Sequence, residues 1–458
     1  MRTATAHRHR ALPPSTTRGL TMTSFSDSDE PGSWARFWRG SPTVPHAPLD
    51  EAARRRWDLP RTLLPTPAGM DRPAVFDPAL KQFANAYRAG EPRFPDEETG
   101  RAWHLARRTV LDLVLAAIAE GPWADHLVLR GSVLMATWFG ERARDPGDLD
   151  FVVVPRDWAM DEPRTAGLFE AIARDAAALA RTRGDRAVID AAGMVTEDIW
   201  TYERVPGRRM LLPWSAPGIP GGTVQLDLVF NELLPAPAEP AELRPLGDGP
   251  GCRLLAASPG LSLAWKLLWL VSDAYPQGKD LYDAVLLAEH ATPDYELVRD
   301  AFVLSGYEGL RPAGRWWLEP LYAEVGWEHF TADHPWIEGS ARTYADRLGR
   351  ALEPFFAVAE PAGEDTYGRW ARWLRPLVEA GRTASPSGST ADRAIALRHF
   401  SAGGLDGLTT AVVILRELAG RGTLGPEDAL TAVLAAPDGW RGFRDHPQWH
   451  TRALDRLR

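Results

Sequence analysis

Asp148 and Asp150 open the run Asp148-Leu-Asp-Phe-Val-Val-Val154, and their spacing sets the chemistry open to them. Side chains in a strand alternate between faces, so Leu149, Phe151 and Val153 share one side and the two carboxylates the other. Carboxylates placed side by side repel unless a cation joins them. Such hard oxygen donors suit Mg²⁺, which completes its shell with water and phosphate oxygens. A solvated turn is the alternative for an Asp-x-Asp pair. The run Thr223-Val-Gln-Leu-Asp-Leu-Val-Phe230 also alternates, with Val224, Leu226, Leu228 and Phe230 on the core side and Asp227 on the other. If the two strands are neighbours, Asp227 joins the pair in a three-carboxylate cup suited to two metal ions. Otherwise it decorates an edge strand.

These carboxylates need elements that aim them at a substrate. Gly131 and Ser132 fall between the apolar run Leu127-Val-Leu and a short helix, where glycine admits close backbone approach and amides at a helix start attract phosphate. A plain turn with an N-cap would use the same residues. Helical spacing of Leu105, Val110, Leu113, Val114, Ala117 and Ile118 predicts a helix over 99–120 feeding that strand, and Leu168, Ile172, Ala176 and Leu179 predict another over 165–182. Strands are expected at 199–203, 209–214 and 223–230. After Pro259 the pattern turns helical, through Leu263, Leu267, Leu270 and Val271 and then Leu281, Val285, Leu286 and Ala288. The fold class is therefore α+β: a mixed-sheet core over 71–240, a helical segment over 241–299 that completes the site, and a helical C-terminal domain over 300–458. Trp316, Trp317, Trp327, Trp336, Trp370 and Trp373 in that domain read as core packing or interface anchoring rather than base stacking. Residues 383–390 read as a linker or loop.

Residues 1–70 are rich in Pro, Ser and Arg and read as a flexible extension with one short helix near 49–57. They lack the apolar stretch of a signal peptide, and Met22 is an alternative start to Met1. A single cysteine, Cys252, excludes an internal disulfide and a cysteine-held zinc, so the expected compartment is the reducing cytoplasm. No apolar run reaches the ~18 residues of a membrane span. A net charge of -9 argues against broad nucleic-acid binding, although the Arg54–Arg56 and Arg142–Arg144 runs could line a local basic groove.

The Gly-Ser turn, short helix, Asp-x-Asp strand and later strand Asp are together similar to the polymerase-beta-like nucleotidyltransferase superfamily. Downstream, Leu263-Ala-Trp-Lys-Leu-Leu-Trp-Leu270 and Lys279-Asp-Leu-Tyr-Asp-Ala284 resemble the Lys helix and basic-Asp-x-Tyr-Asp signature of the AbiEii/AbiGii nucleotidyl transferase toxin family. The resemblance covers roughly residues 100 to 295. It implies Gly131, Ser132, Arg144 and Lys266 on an NTP, Asp148 and Asp150 on Mg²⁺, and Asp280 beside Lys266. Asp227 then belongs to a two-metal site, and Asp283 either joins it or decorates its helix, while Lys266 could instead snorkel to solvent. The implied reaction is attack of an acceptor hydroxyl on the α-phosphorus with loss of pyrophosphate. The implied setting is a growth-arresting toxin with a cognate antitoxin and RNA, the 3′ end of tRNA, as acceptor. Pro146-Gly147 replaces the polar pair usual before the first Asp, Lys279 stands where Arg is common, and the Ser132 to Asp148 spacing is long. Three rivals are a small-molecule nucleotidyltransferase of the antibiotic-modifying kind, an inactive nucleotide-binding module, and a haloacid-dehalogenase-type phosphatase. In the last, the Asp pair follows its strand instead of opening it.

Overall fold

The structure is a computed structural model describing residues 34, 43–201, 205–273, 276–307, 309–322, 325–384 and 388–458. The expectations for residues 1–33, including the alternative start at Met22, lie outside the described residues, as does the middle of the 383–390 linker. Residues 43–70 pack closely where the sequence reading expects a flexible extension. Asp50 caps α1 (Glu51–Arg56) by accepting from the Ala53 amide, and Val44, Leu59 and Leu63 form a small buried cluster with Trp34. Arg54, read as part of a basic run, turns inward and donates to the carbonyls of Pro60 and Leu63. A hairpin of β1 (Ala74–Phe76) and β2 (Tyr87–Ala89) follows.

Next comes α2 (Glu97–Glu120), whose N-cap Asp96 accepts from the Thr99 amide and whose first turn carries Glu97 and Glu98, where negative charge suits the helix dipole. Its buried stripe of Trp103, Val110, Leu113, Val114 and Ile118 packs on the sheet. The sheet consists of β3 (Leu127–Arg130), β4 (Asp148–Val153), β5 (Val188–Ile189), β6 (Val195–Thr201), β7 (Val205–Ala216), β8 (Ile219–Val229), β9 (Glu239–Leu243) and β10 (Cys252–Ala256), in the order β5-β7-β8-β4-β3-β10-β9 with β6 also pairing β7. Strands β4 and β8 are parallel neighbours, and β3 and β7 flank them antiparallel. The expected strand neighbourhood is therefore present. Its register sets Arg209 opposite Asp227, Asp227 opposite Asp150, and Asp150 opposite Arg130, a charged row across four strands. Directly paired residues share a face, so the alternate positions Leu149, Phe151, Leu226 and Leu228 are buried on the other.

The helices are α3 (Ser132–Phe139), α4 (Pro163–Arg183), α5 (Pro259–Ser272), α6 (Gly278–His290), α7 (Tyr295–Val303) and α8 (Trp327–Asp333). Helix α5 starts on a Ser258 cap with Pro259 at its first position. Every side chain from Leu261 to Leu270 is buried, because a helix that is apolar all round can only sit inside the protein. Beyond α8 the described chain is helical, with Gly404–Ala419 the longest element. Four of its tryptophans pack in the core, where Trp317 stacks on Phe302 at 4.6 Å between centroids and Trp327, Trp370 and Trp373 are buried, whereas Trp336 is exposed and does not pack there. No described helix is long and apolar enough to cross a membrane.

Candidate active site

Asp148 and Asp150 project from the first residues of β4, beside the turn joining β3 to α3. Gly131 in that turn has φ +82 and ψ -148, a conformation essentially reserved for glycine. A Cβ there would lie 2.5 Å from Asp150 Oδ2, so the absence of a side chain is what lets the turn close over the carboxylate. Ser132 is buried, and its hydroxyl faces Asp148 Oδ1 at 3.4 Å, placing it on the carboxylate pair.

The pair carries unequal charge. Burial, with Asp148 and Asp227 alongside, pushes Asp150 up to about 7. Burial also opposes ionisation of Asp148, but Lys279 and then Arg144 hold it below the usual carboxylate range. Lys279, half-buried on α6, was not assigned a role from the sequence, yet among the neighbouring charges it acts most strongly on Asp148.

Asp227 stands next to Asp150 across β4 and β8, and both its oxygens are engaged. Arg209 Nε donates to Oδ1 at 2.8 Å, Arg209 Nη2 to Oδ2 at 2.8 Å, and Gln225 Nε2 to Oδ2 at 3.2 Å. The third guanidinium arm, Nη1, donates to Asp77 Oδ2 at 2.6 Å. Against burial, Arg209 and Arg88 hold Asp77 down at about 2. Burial, with the charges of Asp148 and Asp77, leaves Asp227 above the usual carboxylate range although Arg209 draws it down. The bidentate geometry, with Arg209 held well above its ordinary value, makes the pair ionic. Among the described residues, no three His, Cys, Asp or Glu side chains converge as a metal cage.

A second cluster lies between α5 and α6. Lys266 Nζ sits 2.7 Å from Asp280 Oδ1 and 3.0 Å from Asp283 Oδ2, and 4.9 Å from the Trp269 ring centroid. It is 5% exposed, so it does not snorkel to solvent. Asp280 and Asp283 are three residues apart on one face of α6, which aims both at the ammonium. Arg144 Nη2 adds a contact to Asp283 Oδ2 at 3.4 Å and ties this cluster to the run ahead of β4. Two buried polar atoms there, Arg144 Nε and Asp283 Oδ1, have no hydrogen-bond partner, so the cluster has capacity for a further polar ligand. Tyr282 fixes the same run by donating to the Arg142 carbonyl at 2.6 Å.

The sequence signature lies over this geometry. Residues 113–335 match the profile of the nucleotidyl transferase AbiEii toxin of type IV toxin–antitoxin systems, a span that takes in β3, β4, β8, α5 and α6. This segment belongs to the AbiEii nucleotidyl transferase toxin family. The matched segment is thus that of a nucleotidyltransferase of the toxin class. A similar solved structure is MenT4, a nucleotidyltransferase toxin from Mycobacterium tuberculosis H37Rv, at 15% identity and a TM-score of 0.39, covering 60% of this chain and 87% of that one. No curated protein matches the chain.

Within the nucleotidyltransferase, Asp148, Asp150, Gly131 and Ser132 form one group, and Lys266, Asp280, Asp283 and Arg144 a second that Arg144 links to the first. Asp77, Arg88, Lys279 and Arg209 were missed from the sequence. An inward Arg at 209 was legible from the alternation of β7, but its partners depend on strand register and on a turn far upstream.

Proposed function

We propose that this nucleotidyltransferase moves a nucleoside monophosphate from an NTP to an RNA hydroxyl, the 3′ end of tRNA, as the Mg²⁺-dependent toxin of a cytoplasmic toxin–antitoxin pair with a cognate antitoxin protein. The observation that carries the reading is the Asp148 and Asp150 pair on one face of β4, with the Cβ-less turn at Gly131 against Asp150. The donor set fits a hard divalent cation: two adjacent carboxylates, one of them raised by burial and then by its neighbours' negative charge. Asp148 and Asp150 would hold Mg²⁺, which when bound neutralises triphosphate charge and acidifies a hydroxyl near it.

This chain's own residues supply the rest. Ser132 fixes the Asp148 carboxylate. Lys279 and Arg144 bring positive charge to the pair, where it would offset the charge gathering on departing pyrophosphate. Lys266 is bonded to two carboxylates, and its part is to hold Asp283 and so the Arg144 side chain, with direct triphosphate contact passing to Lys279 and Arg144. The RNA acceptor rests on the family's chemistry.

The test is to incubate the full chain with each α-labelled NTP, Mg²⁺ and total RNA beside an Asp148→Ala control. Label on tRNA that the variant does not transfer is expected. Label on a small molecule would replace the RNA acceptor, and no transfer to any acceptor would refute the reading.

A further inference from the structure

Arg209 meets Asp227 from the β7 side of the sheet, directly across from it in register. Its guanidinium takes Asp227 side-on through two 2.8 Å bonds and is anchored from behind by Asp77 at 2.6 Å. The three side chains are 5%, 12% and 9% exposed. Asp77 is itself fixed, since it caps the short turn Pro78–Leu80 by accepting from the Ala79 amide at 3.0 Å. A side-on guanidinium satisfies a carboxylate's in-plane lone pairs, and the Gln225 amide adds a further bond to one oxygen.

We propose that Asp227 is not a ligand for a divalent ion: Arg209, clamped between Asp227 and Asp77, stands in the place of a second ion, and the chain binds one ion, at Asp148 and Asp150. The proposal rests on the nucleotidyltransferase reading and revises its two-ion form. An ion entering at Asp227 would have to break a buried, charge-assisted pair and bring two positive charges against Arg209. Breaking such a pair weakens the ion's binding roughly 10²- to 10⁴-fold relative to an unpaired carboxylate. The fixed guanidinium delivers its charge without desolvating an ion, so it is the favoured occupant. Arg209 and Asp77 are positioning residues in this arrangement, and the segment ahead of α2 becomes a part of the site through Asp77.

The experiment counts Mn²⁺ on the full chain by electron paramagnetic resonance of the free ion, with the chain saturated in turn by the α,β-methylene analogue of each NTP. One Mn²⁺ per chain–analogue complex is expected for the wild type and for Asp227→Asn, with affinities within about threefold of each other. Arg209→Gln, which frees Asp227, is expected to bind two. Two ions on the wild type with one lost in Asp227→Asn would overturn the proposal, as would a folded Arg209→Gln that still binds one. If Arg209→Gln is unfolded by circular dichroism, the comparison of wild type with Asp227→Asn decides alone. A wild type that transfers label but binds two ions refutes this inference and leaves the activity standing. One that binds a single ion but transfers no label refutes the activity and leaves the ion count.

Discussion

Replacing Lys266 by Met should be among the most damaging single changes to stability available in this protein. The ammonium lies 2.7 Å from Asp280 and 3.0 Å from Asp283, with the lysine side chain 6% exposed and the carboxylates 8% and 0%. Met preserves most of the side-chain volume, so the cost is almost wholly electrostatic: two buried carboxylates would share the remaining charge of Arg144, whose Nη2 is 3.4 Å from Asp283. Breaking a buried pair by removing one partner costs about 3–5 kcal/mol, and that is the expected loss in urea unfolding at pH 7. Its pH dependence follows from Asp283: burial opposes its ionisation, but Lys266 and Arg144 hold it below the ordinary carboxyl value of 3.8. In the wild type, the stability from Asp283 is present above 3.8 and is lost as pH falls through the lower folded value. Without the lysine, burial dominates and the carboxyl takes up a proton at higher pH, so the deficit should shrink as pH falls from 7 to 5. Adding Asp280→Asn and Asp283→Asn to Lys266→Met should recover most of the loss, since a neutral cluster strands no charge. A Lys266→Met deficit below about 1 kcal/mol, equal at pH 5 and 7, would refute the burial argument.

Gly131→Ala puts a Cβ 2.5 Å from Asp150 Oδ2 in a backbone region reserved for glycine. It should cost about 1–3 kcal/mol in urea melts and lower label transfer by about 10²-fold; near-wild-type transfer would show that the turn does not set the Asp150 position. Asp150→Asn should stabilise the metal-free protein more at pH 8 than at pH 5. Asp150 is raised to about 7 from 3.8, so the native state binds the proton more tightly and stability falls as pH rises through that window. Urea unfolding in a chelator at both pH values measures this, and an equal effect at both would contradict it.

The sequence alone determined which residues bear charge and which face of its element each occupies, because alternation and helical periodicity are local properties. Asp148, Asp150 and Asp227 were thereby placed opposite the apolar faces of two strands, and α5 was read as a helix carrying Lys266. Tertiary structure decided what those charges meet. The parallel register of β4 and β8 sets Asp227 beside Asp150, but the antiparallel register of β8 and β7 gives the same carboxylate to Arg209. Asp77 reaches Arg209 from 132 residues away, through a short turn to which the sequence reading gave no role. Lys266 carried two readings, snorkelling or phosphate-binding, and became an interior ammonium because α6 brings two carboxylates to it. Desolvation and pairing depend on elements distant in the chain, so the same Asp could be a metal ligand or half of an ion pair. In this protein the antiparallel pairing of β7 with β8 makes Asp227 half of an ion pair with Arg209.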